Sequence, residues 1–184
     1  MKATDILREE HRLIERLLNA LEATAQKLEQ GHEVPPDLLL EVVDFNLAFT
    51  DGCHHRKEEA ALFPALVAQG MPERAGPIAA MVREHRQGRQ FCQQMREAAL
   101  RLPSGDRAAR SMFVANVYEY VEFRRRHITR ENSILFEMAE RIIPAGAHSE
   151  ILAAMEQIER EDLAAGAKPT YRALVETLER EAWA

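Results

Sequence analysis

The stretch Cys53-His54-His55-Arg56-Lys57-Glu58-Glu59-Ala60-Ala61-Leu62-Phe63-Pro64 decides the reading of this chain. Its composition is helical, and in a helix His54 and Glu58 lie one turn apart on one face. The stretch has an echo in His127-Ile128-Thr129-Arg130-Glu131-Asn132-Ser133-Ile134-Leu135-Phe136. Aligned on the Leu-Phe pairs, His127 falls on His54 and Glu131 on Glu58. A single H-x-x-x-E arises by chance in any charged helix. Two of them, each ahead of the same Leu-Phe pair, mark a repeat.

The repeat extends outward. Glu10-His11-Arg12 lies upstream of the first stretch, and Glu84-His85-Arg86 upstream of the second. His11 and His54 are 43 positions apart, and His85 and His127 are 42 apart. Each of these histidines interrupts an apolar seam of helical spacing. Leu7, Ile14, Leu18, Leu21, Ala25 and Leu28 flank His11. Leu40, Val43, Leu47 and Thr50 lead to His54. Ile78, Met81, Gly88, Cys92 and Met95 surround His85, and Phe113, Val117, Tyr120, Ile134 and Met138 surround His127.

Gly31 with Pro35-Pro36, the span Pro72 to Pro77, Pro103-Ser104-Gly105 and Pro144-Ala145-Gly146 divide the chain. The spacing predicts helices over about 5–30, 36–69, from between 72 and 77 to before 103, and about 106–143. Pro64 should bend the second, and Gly52 weakens it for no reason that propensity supplies. Two amphipathic helices follow, at about 149–164 with Leu152, Met155 and Ile158, and at about 170–183 with Leu174, Leu178 and Trp183. The expected fold is all-α, an antiparallel up-down-up-down four-helix bundle with two additional C-terminal helices. Residues 1–146 form the bundle. Residues 147–184 form a helical extension packed on or beside it.

Composition agrees. The chain has 184 residues, 46% hydrophobic and 29% charged, enough for one domain with a substantial core. Its formal charge of −6 argues against nucleic acid as the main partner, since phosphate contacts want a basic surface. The run Arg124-Arg125-Arg126 reads as a solvated helix face. No stretch resembles a secretory leader or a membrane span, so a cytoplasmic protein with no membrane partner is expected. Cys53 and Cys92 have no metal-type spacing and read as small buried thiols. Phosphate-loop, dinucleotide and serine-hydrolase motifs are missing from the sequence.

Near-equal spacing from each turn brings His11, His54, Glu58, His85, His127 and Glu131 to one height in the bundle. Four imidazoles and two carboxylates are costly to bury unpaired. Carboxylate–imidazole ion pairs in a purely structural bundle are one way to satisfy them. A metal site is the other, and mixed nitrogen and oxygen donors suit iron, manganese or zinc. Two six-coordinate ions have about twelve positions. Four histidines, two bridging carboxylates and one bridging oxide or hydroxide fill about ten of these, which leaves room for a small ligand.

At these residues the sequence resembles the hemerythrin-like, or HHE cation-binding, family over about residues 4–143. The resemblance rests on Glu10-His11-Arg12-Leu13-Ile14, on His54-x-x-x-Glu58 with Leu62-Phe63-Pro64, on Glu84-His85-Arg86-Gln87-Gly88-Arg89, and on His127-x-x-x-Glu131 with Leu135-Phe136. It implies a non-haem centre of two iron ions, oxo- or hydroxo-bridged, held by His11, His54, Glu58, His85, His127 and Glu131. Its partner would be a small ligand such as oxygen, nitric oxide or peroxide. Oxygen carriers of the family have a further histidine one turn after the third-helix one, where this chain has Arg89. The sequence therefore looks more like the iron-repair and sensor branches. The implied roles are oxygen, redox or iron sensing, storage, or repair of iron centres. A di-iron peroxide-scavenging or oxidase enzyme is the alternative, and the structural bundle a third. His55 and Glu59 form a rival register to His54 and Glu58. Glu15 reads as a solvated charge, and Tyr120 as either a donor to a ligand or a satisfied core tyrosine.

Overall fold

The computed structural model describes residues 2–162 and 167–183, and among them every regular element is helical. The first rod is α1 (Ala3–Glu29), whose seam from Leu7 to Leu28 is buried at each expected position. It ends near Gly31, whose φ of 89° is a left-handed conformation that glycine adopts without steric cost.

The second rod begins at α2 (Pro36–Phe45), with proline in the first helical position. It then widens into a π-helical segment, Asn46–His55, and after one ordinary step into a π-turn, Glu58–Leu62. It finishes as α3 (Phe63–Ala68). Gly52 falls inside the first wide segment. A Cβ there would stand 3.3 Å from the Leu47 carbonyl oxygen, so the glycine lets the widened backbone close on itself.

The third rod is α4 (Gly76–Ala99). The fourth starts at α5 (Arg107–Arg130), where the Asp106 carboxylate accepts the Ala109 N–H at 3.0 Å and so caps the helix. It passes through a second π-turn, Glu131–Leu135, and ends as α6 (Phe136–Ile142). In both π-turns the N–H of the phenylalanine bonds back to the glutamate carbonyl, Phe63 to Glu58 and Phe136 to Glu131. The fourth rod has no proline there, so a proline is not required to open such a turn. The extra residue in each wide turn shifts the phase of the seam. Ile134, expected on the inner face, is 50% exposed, and Leu135 and Phe136 are buried instead.

Short connections make successive rods antiparallel, and the four close into an up-down-up-down bundle. Then α7 (His148–Asp162) packs across the second rod, and α8 (Ala167–Trp183) lies along α1. Val175, Leu178 and Ala182 join the larger apolar core, and a two-pronged Arg16–Glu179 ion pair at 2.9 and 2.7 Å ties α8 to α1. Trp183, expected on the buried stripe, is 70% exposed at the end of α8. Ile151, Met155 and Ile158 of α7 join a second apolar cluster with Leu7, Leu62, Phe63, Leu135 and Phe136. The two clusters are separated by a layer of buried polar side chains.

Candidate metal centre

That layer contains His11, His54, Glu58, His85, His127 and Glu131, none more than 1% exposed. One residue comes from α1, two from the second rod, one from α4 and two from the fourth rod. The two glutamates open the two π-turns, a distortion often found at functional sites.

Each imidazole is held from outside through Nδ1. His54 donates to Glu10 at 3.0 Å, and His127 donates to Glu84 at 2.8 Å. His11 donates to the Asn132 side-chain oxygen at 3.0 Å, and His85 to Glu59 at 2.6 Å. An ionised carboxylate cannot donate, so Nδ1 carries a proton and Nε2 is the nitrogen turned inward. These partners obey the repeat as well. The residue before each first histidine holds the second one, and the residue after each glutamate holds the first histidine of the other hairpin. Phenylalanines follow the same crossed pattern: Phe136 stacks on His11 at 5.5 Å and Phe63 on His85 at 6.1 Å. That explains the Leu-Phe pairs, which close the polar layer from the apolar cluster beside it.

The Nε2 atoms divide into two groups around the carboxylates. Nε2 of His11 lies 3.0 Å from Nε2 of His54 and 3.2 Å from Oε2 of Glu131, and Nε2 of His54 lies 3.9 Å from Oε1 of Glu58. On the other side, Nε2 of His127 lies 3.0 Å from Oε1 of Glu131, and Nε2 of His85 lies 3.3 Å from Oε2 of Glu58. Each carboxylate thus turns one oxygen to each histidine pair. Metal–ligand bonds of about 2.1 Å at right angles put neighbouring donor atoms about 3 Å apart. Two sets of buried donors lie close enough together to hold a metal ion, His11 with His54, Glu58 and Glu131, and His55 with His85 and His127, the atoms of each set within 4.8 Å of one another.

The residues fit metal on a second ground. Both oxygens of Glu58, both of Glu131, and Nε2 of His85 and of His127 are buried with no well-directed hydrogen bond, and their nearest polar neighbours are one another. Buried carboxylate oxygens without donors are expensive, and a cation between them removes that cost. The local field favours positive charge. Burial opposes protonation of His85, yet Glu131, Glu58 and Glu59 raise its pKa to about 10. Burial likewise opposes ionisation of Glu131, but His127, His11 and His85 hold its carboxyl well below the usual range.

His54 and Glu58 face the cage, whereas Glu59 lies outside and holds His85. His55 is also buried, because the wide turn splays neighbouring side chains less than an α-turn does. Its ring lies flat on that of His85, with centroids 3.8 Å apart and planes 7° from parallel. The pairs that share a corner of the cage are tilted instead, by 60° for His11–His54 and 76° for His85–His127. His55 donates through Nδ1 to Asp51 at 3.2 Å and accepts at Nε2 from Arg124 at 2.8 Å. Both of its nitrogens are engaged, and one of them also lies within 4.8 Å of donor nitrogens of His85 and His127.

Other expectations are met or corrected. Tyr120 donates to Asn46 at 2.7 Å, which makes it a satisfied core tyrosine. Glu15 is exposed, and Cys53 and Cys92 are buried thiols. Arg89 pairs with Asp51. Arg124 is not on a solvated face but is 2% exposed, while Arg125 and Arg126 pair at the surface with Glu22 and Glu122. Sequence reasoning assigned no role to Glu10, Glu84 or Asn132, and weighed Glu59 only as a rival ligand to Glu58. The recurrence of Glu immediately before His11 and His85 was the available signal for two of them.

A four-helix bundle with such a cage defines a cation-binding helical domain. The family model of the hemerythrin HHE cation-binding domain matches residues 2–139, and the chain belongs to that family. No curated protein and no solved structure matches it. Among the described residues no helix is long and apolar enough to cross a membrane.

Proposed function

We propose that this chain binds two iron ions in the cage and uses them to bind or react with a small ligand of the oxygen, nitric oxide or peroxide class. The biological role would be oxygen, redox or iron sensing, iron storage, or repair of iron centres. One observation carries the reading: Glu58 and Glu131 each turn one buried oxygen to each of two histidine pairs. His11 and His54 would hold one ion, His85 and His127 the other, and Glu58 and Glu131 would bridge them.

Bound there, the ions would supply Lewis acidity and electrons to the small ligand. The chain's own contributions are separate. Glu10, Asn132, Glu59 and Glu84 fix the ring orientations and tautomers, which raises the basicity of the inward nitrogens. Phe63, Phe136 and the apolar cluster beyond them keep water out, which strengthens every electrostatic interaction in the layer.

Metal analysis of iron-loaded protein, combined with its optical spectrum, tests the proposal. The expected result is about two irons per chain and near-ultraviolet and visible absorption from a bridged ferric pair. Less than one metal per chain after careful loading would sink it. Catalytic turnover of peroxide by the loaded protein would move the assignment to the enzyme alternative.

A further inference from the structure

Behind each half of the cage a carboxylate carries a cation. Glu10 accepts from Nδ1 of His54 at 3.0 Å and from Lys57, and Glu84 accepts from Nδ1 of His127 at 2.8 Å and from Arg130 at 2.7 Å. Lys57 and Arg130 are 73 positions apart, as Glu58 and Glu131 are, so the two cations hold one place in the repeat. Their surroundings differ. The Arg130 side chain is 45% exposed, so the arm Arg130–Glu84–His127 ends at the surface. The Lys57 side chain is wholly buried, and it reaches a second carboxylate, Glu159 of α7, at 3.2 Å.

The whole of α7 lies beyond residue 139, where the family match ends. Met155 and Ile158 seat it on the second rod in the apolar cluster with Leu62 and Phe63, and an Arg56–Glu161 ion pair at 2.6 Å ties its last turn. Glu159 stands between these anchors, so its position is fixed by packing. A buried ammonium has three donors and a full charge to be met inside the protein. With Glu10 as its only carboxylate partner, the Lys57 ammonium would bear wholly on the group that holds His54. A carboxylate drawn toward an ammonium is a poorer acceptor for the imidazole N–H, and a less firmly held Nδ1–H makes Nε2 a weaker donor to a metal.

We propose that Glu159 is a positioning residue of the metal centre. By sharing the Lys57 ammonium it leaves Glu10 to orient His54 and strengthen its inward nitrogen. The helix α7, outside the residues that the family model matches, thereby completes the His11–His54 half, and the His85–His127 half has its own arm through Glu84. The inference rests on the metal-binding reading above.

The test uses the full chain, with ferrous iron under anaerobic conditions as the probe and chelator competition to resolve two binding steps. Glu159→Gln should weaken one step by about threefold to tenfold and leave the other within about twofold. Glu159→Asp keeps the charge and should recover part of the loss. Glu156→Gln alters an exposed neighbour on α7 that pairs only within its own helix, with Arg160, and should leave both steps within about twofold. A merely structural contact would lower the thermal midpoint without touching His54, so the imidazole Nδ1–H signals are followed by NMR in the metal-free protein. In Glu159→Gln the His54 signal should shift and the His127 signal should not. Either both steps within about twofold of wild type or an unmoved His54 signal overturns the proposal and leaves the metal centre standing. Wild-type protein that takes up no metal overturns the reading on which the proposal rests.

Discussion

Nε2 of His11 and Nε2 of His54 face each other at 3.0 Å. Each ring already donates its Nδ1–H to a partner outside the cage, the Asn132 side-chain oxygen for His11 and Glu10 for His54. Two lone pairs at that distance repel unless a proton or a cation lies between them. Metal loading should therefore stabilise the fold itself. At free metal about a thousandfold above Kd, one site contributes about 4 kcal/mol. The thermal midpoint should rise with metal concentration and drop when a chelator is added. A midpoint indifferent to both would contradict the cage reading.

Glu84 touches the cage only through His127. Glu84→Ala removes the acceptor that orients that ring and should weaken metal binding by about 10- to 100-fold. Chelator competition measures it. The loss should fall on one of two binding steps, because Glu84 serves the His85–His127 half alone.

Lys57 is wholly buried and paired with Glu10, which reaches on to His54. Burial alone would raise the Glu10 carboxyl, but His54 and Lys57 hold its pKa at about 2. Lys57→Met strands a buried carboxylate and should cost about 3 kcal/mol in denaturant unfolding. The double variant Lys57→Met/Glu10→Gln should recover part of that loss. A single variant as stable as wild type would show that the pair is not what holds Glu10.

Glu140 ties the start of α1 to the end of the fourth rod by accepting from Arg8, Lys2 and Thr4. Arg8 and Lys2 lower its pKa from 4.5 to about 2. A lowered folded-state value means stability that is fully present above the unfolded pKa and lost as pH falls through the folded one. Glu140→Gln should therefore be less stable than wild type at neutral pH. The difference should shrink from about pH 4.5 downward and vanish near pH 2. A difference that stays constant across that window would remove the ion pairs as its cause.

Much of the fold was legible because its signals are local. Apolar residues at helical spacing, with glycine and proline between them, place the rods. Short connections then leave little choice but antiparallel neighbours. Ile134 and Trp183 misled for different reasons. A π-turn shifted the phase at Ile134, and at Trp183 the helix runs past the surface that buries Leu178. The π-turns themselves were not legible, because hydrophobic spacing over a few residues cannot separate a turn closed over four residues from one closed over five.

By itself, the sequence determined the two-fold repeat, the all-helical bundle and six donors at one height, since these follow from the order and spacing of residues along the chain. Tertiary structure alone decided which atoms meet. The pairing of Glu10 with His54, the turning of Glu59 outward to His85, and the burial of Arg124 against Gly88 all join different rods. A helix periodicity shows which face a residue occupies. What that residue touches depends on how the neighbouring rods are rotated and shifted, and packing around the polar layer sets that.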